Sequence, residues 1–267
     1  MASSALLLLH ALGLIIEQAR GSSTDRPADL VELLAGTNTR SADSSSDGNV
    51  LPQVKRPHGF NDWAPQTNGE GSAWWFRRQD TQFYGIRCTH QPSPWIGDYG
   101  HFLVQPHMGD LPEVLPFSVE SATFRPYLFK TDLEKMVMEF TATNHAALMR
   151  MTFPDSQAGH LSLSIGQGSI QVTDGIISGY TTDNDGGVPN GWRGMFFVMK
   201  VLRADDDETH LMQVKTLDSK RALPSVSGSI STSGDYATLT FAAGMAHVVV
   251  ALATSFISKE QAELNLE

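Results

Sequence analysis

Cysteine is almost absent: Cys88 is the only one in 267 residues. That excludes an intrachain disulfide framework and any zinc site built on several thiolates. Charge is sparse as well, at 18% of residues, and lopsided: 19 Lys and Arg against 29 Asp and Glu give a formal net charge of −10. So acidic a chain is not built mainly to grip phosphate backbones. The sequence holds no G-x-S-x-G nucleophile elbow, no Walker loop and no H-E-x-x-H zinc motif. Gly166-Gln167-Gly168 is too little for a phosphate loop, and there is no N-x-Ser/Thr sequon. Beyond the N-terminus no apolar run is long enough to cross a bilayer. What is present excludes global disorder: 41% hydrophobic and 9% aromatic residues. The length suits one large all-β domain or two small ones, with room for a buried core.

Ala5 to Ile16 is an apolar run broken only by His10. It is too short for a transmembrane helix and has the length of a signal-peptide core. Ala19-Arg20-Gly21 places small residues at the −3 and −1 positions of a cut after Gly21. No Lys or Arg precedes the run, and a buried N-terminal helix is the alternative. Residues 1–21 are therefore expected to be an export signal and the route secretory, with Cys88 a free, buried thiol.

Residues 22–49 are rich in Ser, Thr, Asp and Gly, apart from the apolar stretch Leu30 to Leu34, and 41–49 has the composition of a mobile loop. Period-two alternation then dominates. Met136, Met138, Phe140 and Ala142 alternate with Val137, Glu139, Thr141 and Thr143. Leu161, Leu163 and Ile165 alternate with Ser162, Ser164 and Gly166, and Ala237, Leu239 and Phe241 with Tyr236, Thr238 and Thr240. Such stretches are strands with one face in a core and the other toward polar surroundings. Gly194 to Leu202 is uniformly apolar and suits a central strand; Asp205 to Glu208 suits a solvated hairpin turn. Many short strands punctuated by Gly, Pro and Asp predict an all-β fold, an antiparallel β-sandwich. Val248 to Phe256 reads as a last strand. Ser258-Lys259-Glu260-Gln261 then fits a capping box that starts a helix at Lys259, with Ala262 and Leu266 on one face. So short a helix needs tertiary contacts.

Isolated chemistry is scarce. His101 and His107 are six apart, which favours chance over metal ligation. Asp183-Asn184-Asp185-Gly186 looks like part of a calcium loop, yet Trp192 stands where the bidentate Glu belongs, which favours a plain Asx/Gly turn. Two segments stand out: His58 to Thr67 (HGFNDWAPQT) and Thr89 to Gly100 (THQPSPWIGDYG). Both mix indole, imidazole, carboxylate and amide groups with Pro or Gly. Pro92 and Pro94 rule out a central strand there and stiffen a loop. An indole can cover the apolar face of a pyranose while Asp, Gln and His bond its hydroxyls. A loop whose Trp packs into the core while its polar groups cap backbone is an equally good reading of the composition.

These segments resemble the N-terminal domain of glycoside hydrolase family 92, the calcium-dependent exo-acting α-mannosidases. The resemblance runs through Gly48 to Pro52, His58 to Thr67, Phe83 to Arg87, Gln91 to Gly100, Ser121 to Tyr127, Arg150 to Pro154, Trp192 to Met199 and Thr254 to Ala262. It departs at Leu33-Leu34-Ala35-Gly36-Thr37, where the family has an Asn-Pro-Phe-Ile-Gly-Thr-like turn. The resemblance implies a galactose-mutarotase-like β-sandwich over 22–257, with 258–267 starting a linker helix toward an (α/α)6 domain that lies outside this chain. It also implies that the general acid and base and most calcium ligands belong to that other domain. This lobe would then carry no catalytic residue and no metal ligand, and would supply part of the wall around a terminal mannose. Sugar-facing candidates are Trp95, His90, Gln91 and Asp98, followed by Trp63 and Asp62. Two functions follow as expectations: the accessory lobe of an α-mannosidase, inactive alone and partnered by a mannose-containing glycan and a catalytic domain, or a free-standing lectin-like module. An apolar patch is expected near the 90–100 loop and the C-terminal helix.

Overall fold

The structure, a computed structural model, describes residues 26–37, 49–68, 75–93, 98–173, 176–184, 187–203, 213–218, 221–222, 230–232, 236–245 and 247–267. The export signal, the 41–48 part of the expected loop, Trp95 and the acidic run 205–208 lie outside the described residues. The chain divides into two units. Of the first, Met1–Val31, the described part holds a 3-10 turn, Pro27–Leu30. The second, Glu32–Glu267, holds all the described strands.

In chain order these are β1 (Asp62–Gln66), β2 (Gln82–Phe83), β3 (Gly85–Gln91), β4 (Tyr99–His107), β5 (Leu115–Pro116), β6 (Thr123–Arg125), β7 (Leu128–Leu133), β8 (Met136–Ala142) and β9 (Ala146–Thr152). There follow β10 (Gly159–Ser164), β11 (Gly168–Thr173), β12 (Ile176–Thr181), β13 (Met195–Arg203), β14 (Gln213–Asp218), β15 (Arg221–Ala222), β16 (Ile230–Thr232), β17 (Tyr236–Phe241) and β18 (His247–Ser255), then helix α1 (Lys259–Leu264). One sheet has the order β1-β3-β4-β10-β17-β14-β15, the other β16-β11-β12-β13-β18-β9-β8-β7-β6, and β2 pairs with β5 apart from both. Every strand pair is antiparallel. The all-β fold expected from alternation is what the chain adopts.

Alternation explains the core. Met136, Met138 and Phe140 on β8, Leu161 and Leu163 on β10, and Ala237, Leu239 and Phe241 on β17 are all buried. Rings join the two sheets: Trp63 lies 5.9 Å from Phe102 and 5.3 Å from Phe140, and Phe102 lies 5.4 Å from Phe197. β13 and β18, read as a central strand and a last strand, are neighbours in the middle of the nine-stranded sheet. Cys88 is buried and unpaired as a disulfide, and burial pushes its thiol well up.

The outward face of β10 is polar as expected, and it is closed to solvent: Ser162 and His160 are buried. By register they lie beside His107, Gln105, Thr238 and Thr240 on the far face of the seven-stranded sheet. There the polar groups satisfy one another. His107 Nδ1 sits 2.8 Å from the Gly109 carbonyl, which can only accept, so Nδ1 carries the proton and Nε2 accepts. Ser162 therefore donates to His107 Nε2 at 2.8 Å and accepts from the Thr238 hydroxyl at 2.6 Å. The His160 ring stacks on His107 at 5.1 Å, and its Nδ1 meets Thr240 Oγ1 at 3.0 Å.

The C-terminal helix forms as expected but with half the capping box. The Ser258 hydroxyl accepts from the Gln261 N–H at 3.2 Å, while the Gln261 side chain turns forward to Asn265 Oδ1 at 3.1 Å. Asn265 Nδ2 in turn donates to the Thr254 carbonyl at 2.8 Å, tying the helix end to β18. α1 packs on β12, β13 and β18 with Ala262 fully buried. Ser178, Val198 and Ala253 share one row by register and are all buried, small enough to let a helix approach. Ile257 and Leu264, flanking this contact, are 73% and 57% exposed.

Burial, and next the His160 ring, hold the His107 imidazole down at about 4. An unfolded histidine takes up its proton near 6.5, so between these values the unfolded chain binds more protons. Stability should be full above about pH 6.5 and fall by roughly 2–3 kcal/mol as the pH drops toward 4. An NMR titration of the His107 ring should show it neutral at pH 6; a midpoint above 6 would contradict the buried relay.

Candidate functional site

Antiparallel pairing gathers one set of strand ends at one end of the sandwich. β1 begins at Asp62 opposite Thr89 near the end of β3, and β4 begins at Tyr99 opposite Gln91. β12 ends at Thr181 opposite Met195, the first residue of β13, and Phe196 faces Ser255, the last of β18. The β8–β9 turn, carrying His145, reaches the same place, since Ala146 pairs with Ala253.

A ring cluster lines this end. His90 lies 4.4 Å from Phe60, 4.7 Å from Phe256 and 6.1 Å from Tyr99. Phe256 meets Phe60 edge-on at 5.0 Å, Tyr99 at 5.6 Å and Trp192 at 6.0 Å, and Trp192 lies against Tyr99 at 5.4 Å. His145 joins through Phe60 at 5.8 Å. Close approach needs Gly100: its φ is +67°, and a Cβ there would stand 3.2 Å from Met195 Cβ and 3.4 Å from Phe256 Cε1. Beneath the rim, Asn61 Nδ2 donates to Met195 Sδ at 3.4 Å, and the Thr254 hydroxyl donates to Asn61 Oδ1.

The polar groups divide into one open acceptor and two committed acids. His90 Nδ1 sits 2.7 Å from the Phe60 carbonyl and so carries the proton, which leaves Nε2 as an acceptor. Burial lowers its pKa, which favours the neutral ring. Asp62 bonds Lys55 Nζ at 2.8 Å; burial raises its carboxyl and Lys55 opposes the rise. Asp98, 2% exposed, is held by Arg87 NH2 at 2.6 Å and Nε at 2.7 Å. Arg87 also lies 4.8 Å over the Trp75 ring and reaches Gln66 Oε1 at 3.5 Å.

Of the residues singled out in the sequence, His90 is in the rim and Gln91 is exposed at the end of β3. Asp62 and Asp98 stand beside the rim, each spent on a cation. Trp63 is elsewhere. At 1% exposure it fills the core, because neighbours on a strand point to opposite faces and Asp62 takes the outer one. The sequence reading passed over Tyr99, Phe60 and Phe256, and above all Trp192. A signal for Trp192 existed: Pro189-Asn190-Gly191 is a turn string directly before a long apolar strand. The indole N–H of Trp192 is buried and has no hydrogen-bond partner among the described residues. Nor do three or more His, Cys, Asp or Glu side chains come together among the described residues as a metal-binding group.

Fold and rim thus define an antiparallel two-sheet β-sandwich with an aromatic, histidine-bearing end. Residues 30–255 match the model described as the glycosyl hydrolase family 92 N-terminal domain, and the chain belongs to that family. A family 92 inverting mannosidase of Bacteroides thetaiotaomicron is 30% identical, with a TM-score of 0.79 over 92% of this chain and 34% of its own. A family 92 α-mannosidase of the same organism is 20% identical, with a TM-score of 0.73 over 92% of this chain and 35% of its own, and supports the fold. That second enzyme has also been solved in complex with mannoimidazole. This chain therefore spans about a third of the length of these solved relatives. No curated protein matches it.

The Arg87–Asp98 pair gives a test of the rim. Arg87→Met leaves a buried carboxylate without its cation and should cost about 3 kcal/mol in urea unfolding, while Arg87→Met with Asp98→Leu should recover much of the loss. A loss in the double variant equal to the summed losses of Arg87→Met and Asp98→Leu would show that the pair carries no coupling.

Proposed function

We propose that this domain is the sugar-contacting N-terminal lobe of an α-mannosidase-like glycosidase, whose complete form hydrolyses terminal α-linked mannose in a mannose-containing glycan. The observation that carries the proposal is the convergence of His90, Tyr99, Trp192 and Phe256 at one end of the sandwich. A pyranose presents an apolar C–H face and a ring of hydroxyls. Aromatic edges suit the first, and the neutral His90 Nε2 suits a hydroxyl donor. Gln91, at the rim, adds an amide that can both donate and accept. Trp95, which lies between β3 and β4 in the sequence, is the proposed stacking residue.

An inverting glycosidase needs a general acid and a general base with room for a water between them. Asp62 and Asp98 are poor candidates, since each carboxylate is neutralised by a bonded cation. In this reading the acid, the base and most of the calcium ligands come from the (α/α)6 domain of the complete enzyme, and the lobe orients the sugar. Residues 1–21 direct it out of the cytoplasm.

Titration calorimetry with mannose, α-mannobiose and mannoimidazole should give dissociation constants of about a millimolar or weaker, abolished by Trp95→Ala. The same chain should release no mannose from an aryl α-mannoside. Measurable hydrolysis would overturn the lobe assignment, micromolar affinity would favour a lectin-like module, and a complete lack of binding would remove the sugar contact. The exported product should begin at Ser22, as N-terminal sequencing would show.

A further inference from the structure

The turn that delivers Trp192 to the rim is built on a chemically labile dipeptide. Asn190-Gly191 is one of two Asn-Gly steps in the sequence, the other being Asn68-Gly69. The Trp192 N–H donates to the Pro189 carbonyl at 3.1 Å, closing a four-residue turn, and Gly191 has a φ of +82°. This is the third position of a type II turn, where glycine is required. Asn190 and Gly191 are both exposed, and a Cβ on Gly191 would meet nothing within 4 Å. So no side chain among the described residues packs over the peptide bond between them, and the amide nitrogen that closes the turn is that of Trp192, not Gly191.

We propose that Asn190 is a site of spontaneous deamidation, and that its isoaspartyl product displaces Trp192 from the rim. The Gly191 backbone nitrogen loses its proton to base and attacks Asn190 Cγ. A nitrogen–carbon bond forms, the Cγ–Nδ2 bond breaks, and ammonia leaves with that proton. Water then opens the five-membered succinimide. Opening at Cγ gives aspartate with the ordinary backbone, whereas opening at the main-chain carbonyl routes the chain through Cβ and Cγ. The balance is one amide and one water to one carboxylate and one ammonium, with no other reactant. Glycine favours the step because no Cβ shields its nitrogen, and an exposed turn tip yields readily to the required rotation.

The other Asn-Gly step is held more firmly. Asn68 is half-buried, its N–H donates to the Trp75 carbonyl at 3.1 Å, and its own carbonyl accepts from Gln66 Nε2 at 3.2 Å. Asn61 is buried beneath the rim and bonded to Thr254. Asn190 should therefore react first among the described asparagines. The isoaspartyl linkage inserts an extra backbone atom into a turn closed by a single hydrogen bond, two residues before Trp192. The tilted contact of Trp192 with Tyr99, at 5.4 Å, cannot keep its geometry through that insertion. Ordinary aspartate at 190 adds a charge on an exposed tip and leaves the turn intact. The proposal does not depend on sugar binding.

The test is to age the native 267-residue chain at mildly alkaline pH and physiological temperature and map its peptides by mass. A synthetic peptide of residues 187–194 is aged alongside. Asn190 should gain the amide-to-acid mass increment before any other described asparagine, with isoaspartate detected by isoaspartyl methyltransferase labelling. In the aged protein the Trp192 indole N–H resonance, assigned from Trp192→Phe, should disappear from its native position in proportion to isoaspartate content. Asn190→Asp should keep that resonance in place, and Asn190→Gln should keep it through ageing. If the native chain retains Asn190 while the peptide has reacted, the turn protects the residue and the proposal fails. It fails equally if isoaspartate accumulates with the indole resonance unmoved.

Discussion

The constraint on which the rest depends is the bridging of two sheets by aromatic rings. Trp63 on the edge strand β1 leans on Phe102 of its own sheet and on Phe140 of the other, and Phe102 continues to Phe197. With one buried, unpaired cysteine, the domain has no covalent staple and must hold its sheets by apolar contact. Removing a ring of this size from a packed core costs about 3–5 kcal/mol, a large share of a typical domain's stability. The same register that sends Trp63 inward sends Asp62 outward, toward Lys55 and the rim, so core packing also sets the position of the polar groups at the functional end.

The far face of the seven-stranded sheet and the rim illustrate different uses of polarity. Across the strands β4, β10 and β17 the far face holds a closed relay, Thr238 to Ser162 to His107 to the Gly109 carbonyl, in which each donor has an acceptor. A relay with its proton positions dictated by a terminal carbonyl fixes strand order and offers nothing to a ligand. The rim is the reverse. His90 has one nitrogen anchored to the Phe60 carbonyl and the other open as an acceptor, and the Trp192 indole N–H is buried without a partner among the described residues. Open donors and acceptors are where a binding surface differs from scaffold.

Much of the fold was legible because alternation is a local property. β8, β10 and β17 announce themselves by period two, and Ser258 by its capping chemistry. Alternation marks the outer face of β10 as polar but cannot say what lies over it, and Ser162 is buried there among polar neighbours. Trp63 was misread because a Pro-containing string resembles a loop. Pro65 is tolerated because β1 is the edge of its sheet, and the strand then buries the indole. The two odd segments contain His90 and Gln91, which the fold places at one end of the sandwich. Trp192, Phe256 and His145 reach that end only through the order β12-β13-β18-β9, a non-local pairing that no short window of sequence contains.

The central claim is that this one end, and no other surface, meets the sugar. Backbone amide shift mapping of the 15N-labelled domain with mannoimidazole tests it most directly. The account predicts shifts confined to residues around Phe60, His90 to Tyr99, Trp192 and Phe256, with the His107, Gly159 and His247 end silent. Shifts centred on that opposite end, or on the exposed face of the nine-stranded sheet, would contradict it.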